Sequence, residues 1–377
     1  MNRHQGVFIL ELDDSTVYEE LRAYIARELL DGQDDGLDRT TRLLEWGIID
    51  SMSMVALLEF IRERFGVAIP DDDVIPAHFS NLDVLTRCIL RLHALQQASG
   101  EPRTGTPNYH YALIRALEPY GVVSERLEGE GTSVHHLRTV GREPAWVLLP
   151  ALGNPASSWG IVLRGLAGEQ EAIALDFAGF GLTTGPVAAP TFDDQLALTL
   201  DAMERLTRGR VVLVGHSAGA MVAIDIARRF PHKVAALVVT SFGAIAEPRA
   251  WWSSLQELSR DPSTFLQRAY YGAPTLGRAL RGLLSSALES TAYQSFLDER
   301  ALDRMPSIFE GLTVPTLFVA GEQDRIIPAS AVNAAVAAVP HARIEWLARC
   351  GHFPQAERPQ ELFTLMQLFV ASLSEGT

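Results

Sequence analysis

Apolar residues recur at helical spacing in three stretches near the start of the 377-residue chain. Positions three and four apart share one face of a helix, so the pattern predicts helices over residues 15–30, 51–65 and 81–96. The repeating positions are Val17, Leu21, Ile25 and Leu29, then Met54, Leu57, Leu58 and Ile61, then Leu82, Leu85, Ile89 and Leu92. These helices predict a small all-helical domain over residues 1–97.

The apolar period changes after a segment rich in Gly, Pro, Ser and Thr, which predicts a linker over residues 98–109. Beyond it, short apolar runs alternate with helical stretches, which predicts an α/β domain with a mostly parallel sheet over residues 110–377. The runs are 145–150, 171–177, 210–216, 235–242, 315–321 and 342–348. Residues 247–310 break the alternation and predict a helical cap over the sheet.

Charge and cysteine content narrow the classes of partner and compartment. Residues 1–98 hold nine Lys/Arg against eighteen Asp/Glu, a difference of −9 within a total of −14. This negative charge disfavours binding to nucleic acid and anionic lipid, and it favours a partner with a basic surface. Two distant cysteines, Cys88 and Cys350, are too few for a disulfide framework or a cysteine-ligated zinc site. We expect no metal, no membrane span and a cytoplasmic location.

A G-x-S-x-G pattern, Gly215-His216-Ser217-Ala218-Gly219, lies between an apolar strand and a helix rich in small residues. This context is typical of a nucleophile elbow, a strained turn that lifts the serine hydroxyl clear of the sheet. The Ala218 N–H at the helix start is then a candidate oxyanion donor.

A serine needs a base, and the elbow predicts an acid and then a histidine in chain order. Asp324 follows one predicted strand, and His352 follows the last one. Since parallel strands end at one edge of a sheet, Ser217, Asp324 and His352 are the candidate catalytic residues. His135 and His136 fall in a predicted edge strand without such support, and we expect His216 to shape the elbow.

The pattern resembles the α/β-hydrolase family over roughly residues 120–375. The stretch 152–159, LGNPASSW, is similar to the family's loop after the third strand, and the alignment implies the Asn154 N–H as second oxyanion donor. The stretch 176–183 is similar to the family's D-x-x-G-x-G-x-S loop, with Thr183 in place of serine. Aromatic residues of the cap either line a substrate pocket or pack: Trp251, Trp252, Tyr270, Tyr271 and Tyr293.

Residues 15–95 resemble an acyl or peptidyl carrier protein, whose D-S-L motif appears as Asp50-Ser51-Met52. The resemblance implies that Ser51 carries 4'-phosphopantetheine, attached by a phosphopantetheinyl transferase. Glu59 and Glu63 on the following helix are then docking charges for basic partners. The alternative for Ser51 is a plain helix cap.

Together the resemblances imply a thioesterase-like hydrolase that acts on an acyl thioester held by a carrier in polyketide, fatty-acid or nonribosomal-peptide biosynthesis. The partners are synthase modules or other carrier proteins. Three alternatives remain: an acyltransferase working through Ser217, an esterase or amidase acting on a carrier-bound intermediate, and a non-catalytic carrier and docking scaffold.

Overall fold

A computed structural model gives the architecture of the chain. It describes residues 12–30, 32, 36–44, 46, 48–49, 51–70, 73–99, 114–129, 131–185, 189–272 and 287–374. The chain divides into two compact units, residues 1–116 and residues 117–377.

The described part of the first unit contains three long α-helices: α1 (Asp14–Leu29), α2 (Ser51–Phe65) and α3 (Leu82–Ser99). All three match predicted helices, and their apolar faces supply the core: Val17, Leu21, Ile25, Leu57, Ile61, Leu85 and Ile89. The cap of α1 is Asp13, whose carboxylate accepts from the Thr16 N–H at 2.8 Å. Helix α3 runs to Ser99, so it takes in the first two residues of the predicted linker, and residues 100–109 lie outside the described residues.

An eight-stranded sheet organises the second unit. Its strands are β1 (Val122–Glu128), β2 (Ser133–Thr139), β3 (Arg142–Leu149), β4 (Gln170–Leu175), β5 (Val211–His216), β6 (Val234–Thr240), β7 (Thr316–Gly321) and β8 (Arg343–Leu347). Their order is β1-β2-β4-β3-β5-β6-β7-β8. The β1–β2 and β2–β4 pairs are antiparallel, and all the other pairs are parallel. The predicted α/β fold with a mostly parallel sheet is confirmed.

The six predicted apolar runs correspond to β3 through β8. Strands β5 and β7 are buried along their whole length, as expected of parallel strands covered on both faces. The expectation that His135 and His136 lie in an edge strand is wrong, because β2 pairs with β1 on one side and β4 on the other. The charged, mostly exposed strand β1 forms the edge of the sheet next to β2, and β8 forms the opposite edge.

Helices connect and cover the strands: α4 (Gly160–Leu166), α5 (Phe192–Leu206), α6 (Ala218–Arg229), α7 (Pro248–Leu258), α8 (Pro262–Ala269), α9 (Thr291–Ser295), α10 (Glu299–Arg304), α11 (Ala329–Ala338), α12 (Pro354–Glu357) and α13 (Pro359–Ser374). Four of them, α7 to α10, lie in the predicted cap, and the described part of residues 247–310 contains no strand. Across the described ranges, every helix is too short or too polar to cross a bilayer.

Some of the aromatic side chains in the cap are buried and packed against other rings. Trp252 and Tyr293 are 6% and 3% exposed, and their rings stack with centroids 5.7 Å apart. Tyr270 stacks on Phe353 at 4.8 Å, beside His352. Tyr271 is 53% exposed and lines no packed interior. The packing interpretation therefore holds for Trp252 and Tyr293.

Candidate functional site

The turn between β5 and α6 places Ser217 in a backbone conformation that few side-chain-bearing residues adopt. Its φ is 53° and its ψ −114°. Such a geometry costs about 1–3 kcal/mol and persists only where the surroundings enforce it. The flanking glycines show that enforcement, since a Cβ at Gly215 would lie 2.4 Å from the Ala220 Cα. The strand and the helix nearly touch, as the nucleophile-elbow interpretation requires.

Replacing Gly219 by alanine should destabilise the second unit by about 3 kcal/mol, because the added methyl group has no room. Its Cβ would lie 2.4 Å from the Pro150 carbonyl oxygen, and main chain yields less readily than a flexible side chain. The measurement is chemical denaturation followed by tryptophan fluorescence. The control is Gly272→Ala, at an open position where a change within about 0.5 kcal/mol is expected. Equal stability of the two variants would contradict the tight turn.

Ser217, His352 and Asp324 form a hydrogen-bonded chain, named here the Ser217 array. Ser217 Oγ lies 3.0 Å from His352 Nε2, and His352 Nδ1 lies 2.8 Å from Asp324 Oδ2. The histidine and aspartate side chains are 4% and 3% exposed. Since a carboxylate only accepts, Nδ1 carries the hydrogen and Nε2 is left to accept the serine proton. The three predicted residues therefore meet, each just beyond the end of β5, β7 or β8.

Main-chain groups hold Asp324 in place. Its Oδ1 accepts from the N–H groups of Ile326 at 2.8 Å and Ile327 at 3.0 Å, which leaves Oδ2 for His352. These hydrogen bonds orient the carboxylate and offset the free-energy cost of burying its charge. The three hydrogen bonds therefore fix which carboxylate oxygen faces the imidazole.

His216 supports the main chain of His352. Its Nε2 donates to the His352 carbonyl oxygen at 2.6 Å, and its Nδ1 accepts from the Gln355 amide at 2.9 Å. Full burial holds the pKa of His216 well below its usual range, so the ring is neutral. Both hydrogen bonds of the ring go to the segment that contains His352, so the expected role of His216 in shaping the elbow stays a prediction.

Glu357, which the sequence analysis did not single out, joins the His352 segment to the cap. Its carboxylate accepts from the N–H groups of Gly351 and Tyr271, each at 2.7 Å. The His352 N–H donates to the Ala269 carbonyl at the end of α8, at 2.5 Å. Burial raises the pKa of Glu357. Tyr271 and Glu357 are 86 residues apart in the chain, so no local sequence pattern predicts their contact.

The candidate oxyanion donors differ in their present partners. Ala218 begins α6, and the first N–H groups of a helix have no intrahelical acceptor. The Asn154 N–H donates to the Ala151 carbonyl at 3.0 Å, in a turn where Gly153 has a φ of 83°. A substrate oxygen would have to share or replace that bond, so the role of Asn154 stays a prediction.

Asp176, the first residue of the D-x-x-G-x-G-x-T stretch, holds the loop that contains Asn154. Its carboxylate accepts from the N–H of Ala156 and, at 2.8 Å, from the N–H of Leu182. A Cβ at Gly181 would lie 2.1 Å from that carboxylate, which explains the glycine. The sequence showed the motif, but it did not show which main-chain groups the aspartate contacts.

In the first unit, Ser51 is the first residue of α2. The first turn of this helix contains no acidic residue, so its N–H groups and dipole favour a negatively charged substituent. The assignment of phosphopantetheine to Ser51 stays a prediction. The docking role expected for Glu59 is wrong, because a docking charge must be exposed. The Glu59 side chain is 1% exposed, and its carboxylate lies 3.9 Å from the Arg62 guanidinium. Glu63 is exposed.

Two family models match the chain. The Alpha/beta hydrolase family model covers residues 146–365, more than half of the chain. A second model, described as Phosphopantetheine attachment site, covers residues 19–89. The second match implies a covalently attached phosphopantetheine in this part of the chain.

Three curated relatives show where similar sequences occur. The chain is 26% identical over 259 residues to the biotin biosynthesis bifunctional protein BioHC of Teredinibacter turnerae, in 59% of this chain and 44% of that protein. It is 27% identical over 335 residues to the polyketide synthase ThaQ of Burkholderia thailandensis, in 84% of this chain and 16% of the synthase. It is 26% identical over 260 residues to a pimeloyl-[acyl-carrier protein] methyl ester esterase of Xanthomonas axonopodis, in 63% of this chain and 99% of the esterase.

The chain thus spans less than half the length of BioHC and about a sixth of ThaQ. Its match to ThaQ is longer than the hydrolase unit alone. With the sheet, the strained turn at Ser217 and the family model in agreement, the chain belongs to the alpha/beta hydrolase family, and it carries a phosphopantetheine-attachment domain of the carrier type before its hydrolase domain.

Proposed function

We propose that this protein is a serine hydrolase that cleaves an acyl group from a phosphopantetheine thioester on a carrier domain, in polyketide, fatty-acid or nonribosomal-peptide biosynthesis. The observation that carries the proposal is the hydrogen-bonded Ser217 array in a chain that also contains a carrier domain. The long match to a polyketide synthase supports a biosynthetic context with synthase modules as partners.

In the proposed reaction Ser217 Oγ attacks the thioester carbonyl while His352 Nε2 takes the hydroxyl proton. The negative charge that develops on the carbonyl oxygen is stabilised by the Ala218 N–H and the start of α6, with Asn154 as the second proposed donor. Asp324 stabilises the imidazolium of His352. The imidazolium then protonates the departing thiol, which leaves an acyl ester on Ser217.

Water completes the cycle when His352 removes its proton and the oxygen attacks the acyl ester on Ser217. The imidazolium returns that proton to Ser217 Oγ, and the free acid leaves. Transfer to another acceptor needs only a different nucleophile in this second half, so an acyltransferase would use the same residues.

Phosphopantetheine, where attached, supplies a thiol that holds the acyl group as a thioester. We propose Ser51 as its attachment point, because Ser51 opens α2 at a turn without acidic residues. The partner for this step is a phosphopantetheinyl transferase. The proposed role of the chain itself is to present the serine oxygen and to place the phosphodiester at a helix N-terminus.

Incubation with coenzyme A and a broad-specificity phosphopantetheinyl transferase should add one 4'-phosphopantetheinyl group to the full chain and release adenosine 3',5'-bisphosphate. Ser51→Ala should add none, because the acceptor oxygen is gone. Ser53→Ala, two residues along the same helix, serves as the matched control and should be modified like the wild type. Intact-mass spectrometry measures the change, and modification of Ser51→Ala would refute the assignment.

Modification with an acyl-coenzyme A in place of coenzyme A attaches an acylated phosphopantetheine to the carrier domain. This loaded protein then tests the hydrolase. The wild type should lose the acyl group with time, and Ser217→Ala should retain it. Mixing loaded Ser217→Ala with unloaded Ser51→Ala shows whether the hydrolase acts on the carrier of a second chain. Loss that occurs only with an added acceptor favours the acyltransferase, and retention under all conditions contradicts action on the thioester.

A second candidate is an esterase that acts on a carrier-bound intermediate and leaves the thioester intact. It is favoured by the match that covers 99% of a pimeloyl-[acyl-carrier protein] methyl ester esterase. A carrier loaded with a half-ester of a dicarboxylic acid separates the two. The esterase would remove only the terminal alcohol, whereas the thioesterase would remove the whole acyl group.

Replacing Glu357 by alanine should lower kcat by roughly tenfold to a hundredfold, because the His352 segment loses the acceptor of the Gly351 N–H. That buried N–H left unpaired also costs about 1–3 kcal/mol of stability. Steady-state hydrolysis of an aryl ester measures the rate. Glu361→Ala, an exposed position on α13, is the control and should leave kcat unchanged. An unaltered kcat in Glu357→Ala would show that the segment holds its position without the carboxylate.

A further inference from the structure

A second chain of serine, histidine and aspartate lies outside the Ser217 array. Ser124 Oγ is 2.9 Å from His135 Nε2, and His135 Nδ1 is 2.6 Å from Asp176 Oδ2. Ser124 lies on β1, His135 on the neighbouring strand β2, and Asp176 just after β4. We name these three residues the Ser124 array. The sequence alone gives no support for His135 as a reactive histidine, because its partners lie 11 and 41 residues away in the chain.

The two arrays share their order of atoms and their burial. In each, Nδ1 of the histidine faces the aspartate and Nε2 faces the serine. The side chains of His135 and Asp176 are both 2% exposed, as deeply buried as the corresponding pair in the Ser217 array. Each aspartate also accepts two main-chain N–H groups, which fixes it as an acceptor.

The hydrogen-bond pattern sets the tautomer of His135. Asp176 is an acceptor for two main-chain N–H groups, and its third hydrogen bond, to His135, therefore places the hydrogen on Nδ1. Nε2 is then unprotonated and accepts the hydroxyl hydrogen of Ser124. A serine bonded to the free nitrogen of an oriented imidazole has a base in position for proton removal.

Ser124 differs from Ser217 in its surroundings. It lies on a mostly exposed strand that pairs with β2 alone among the described strands, so every second N–H of β1 points away from the sheet. An electrophile in solution can therefore reach the hydroxyl. The outward N–H groups are solvated rather than fixed around a pocket, so Ser124 should react more slowly than Ser217.

We propose that Ser124 is a second nucleophilic serine, which accepts an acyl group from an activated donor such as a thioester or an aryl ester. Oγ bonds to the acyl carbon while its proton passes to His135 Nε2. The carbon–sulfur bond of a thioester donor breaks, and the thiolate takes the proton from the imidazolium. The products are an O-acyl serine at Ser124 and a free thiol. This proposal does not depend on the function proposed for Ser217.

The test uses full-length Ser217→Ala protein and a fluorophosphonate, which forms a stable bond to nucleophilic serines and releases fluoride. Trypsin cleaves after Arg115, Arg126 and Arg138, so Ser124 and Ser133 fall in different peptides. Ser133 is the internal control, because its hydroxyl bonds to Arg126 and Glu128 and to no histidine. The Ser124 peptide should be labelled about a hundredfold faster than the Ser133 peptide. No adduct, or equal rates, would overturn the proposal.

His135→Gln in the Ser217→Ala background should slow labelling of Ser124 by about a hundredfold. An unchanged rate in a folded His135→Gln protein would also overturn the proposal. Should this variant fail to fold by circular dichroism, the comparison of Ser124 with Ser133 decides alone. Labelling of Ser217 in the wild type is scored separately, so failure at Ser124 and failure of the proposed hydrolase are distinct results.

Discussion

Ser217→Ala is expected to lower kcat/KM for acyl-ester or thioester hydrolysis by roughly 10⁴-fold to 10⁶-fold. The methyl group leaves His352 without a hydroxyl to deprotonate, so no acyl-enzyme forms. Binding and the proposed oxyanion donors remain, and they set a residual rate above that of water. The measurement is steady-state hydrolysis of a short-chain aryl ester, with the acyl-loaded carrier as a second substrate.

The matched control for this prediction is Ser253→Ala, an exposed position on α7. Its kcat/KM should equal that of the wild type. Both variants should keep a Tm within about 4 °C of the wild type, because Ser217→Ala removes one hydrogen bond, the one to His352, and leaves the strained main chain in place. A Ser217→Ala protein that keeps a tenth or more of wild-type activity would exclude Ser217 as the nucleophile.

Asp324→Asn should lower kcat by roughly 10⁴-fold and change KM little. The amide oxygen can still accept from Ile326 and Ile327, but the NH₂ group then faces His352 Nδ1. Nδ1 would accept that donor, and the hydrogen of the ring would move to Nε2. An Nε2–H cannot accept the Ser217 proton.

Glu322→Gln, an exposed position two residues earlier in the same loop, separates this effect from loss of charge near the site. It should keep at least half of the wild-type kcat. A large loss in both variants would point to a general electrostatic effect, and a small loss in Asp324→Asn would remove the tautomer argument.

Residues whose neighbours along the chain determine their geometry were predictable from the sequence. The turn at Ser217 is local: a buried strand, small residues at 215 and 219, and a helix leave the main chain little choice. Asp324 and His352 were predictable for another reason, since parallel strands end at one edge and the two residues lie three and five positions past the ends of β7 and β8.

Features that depend on distant partners were not predictable. Strand β1 has no apolar alternation, because it lies at the sheet edge and exposes most of its side chains. The place of β2 between β1 and β4, which corrected the edge-strand expectation for His135, is a property of sheet order. The burial of Glu59 within an otherwise well-predicted helix is likewise set by tertiary packing.

The contact of Glu357 with Tyr271 limits how substrate range can change in this protein. The segment 269–271 belongs to the cap in sequence, but Ala269 and Tyr271 bond to the stretch that holds the imidazole of His352. A chimera that takes its cap from another hydrolase should therefore keep residues 269–271 and Glu357 of this protein. Recombination inside that segment would exchange specificity together with the alignment of the reacting groups.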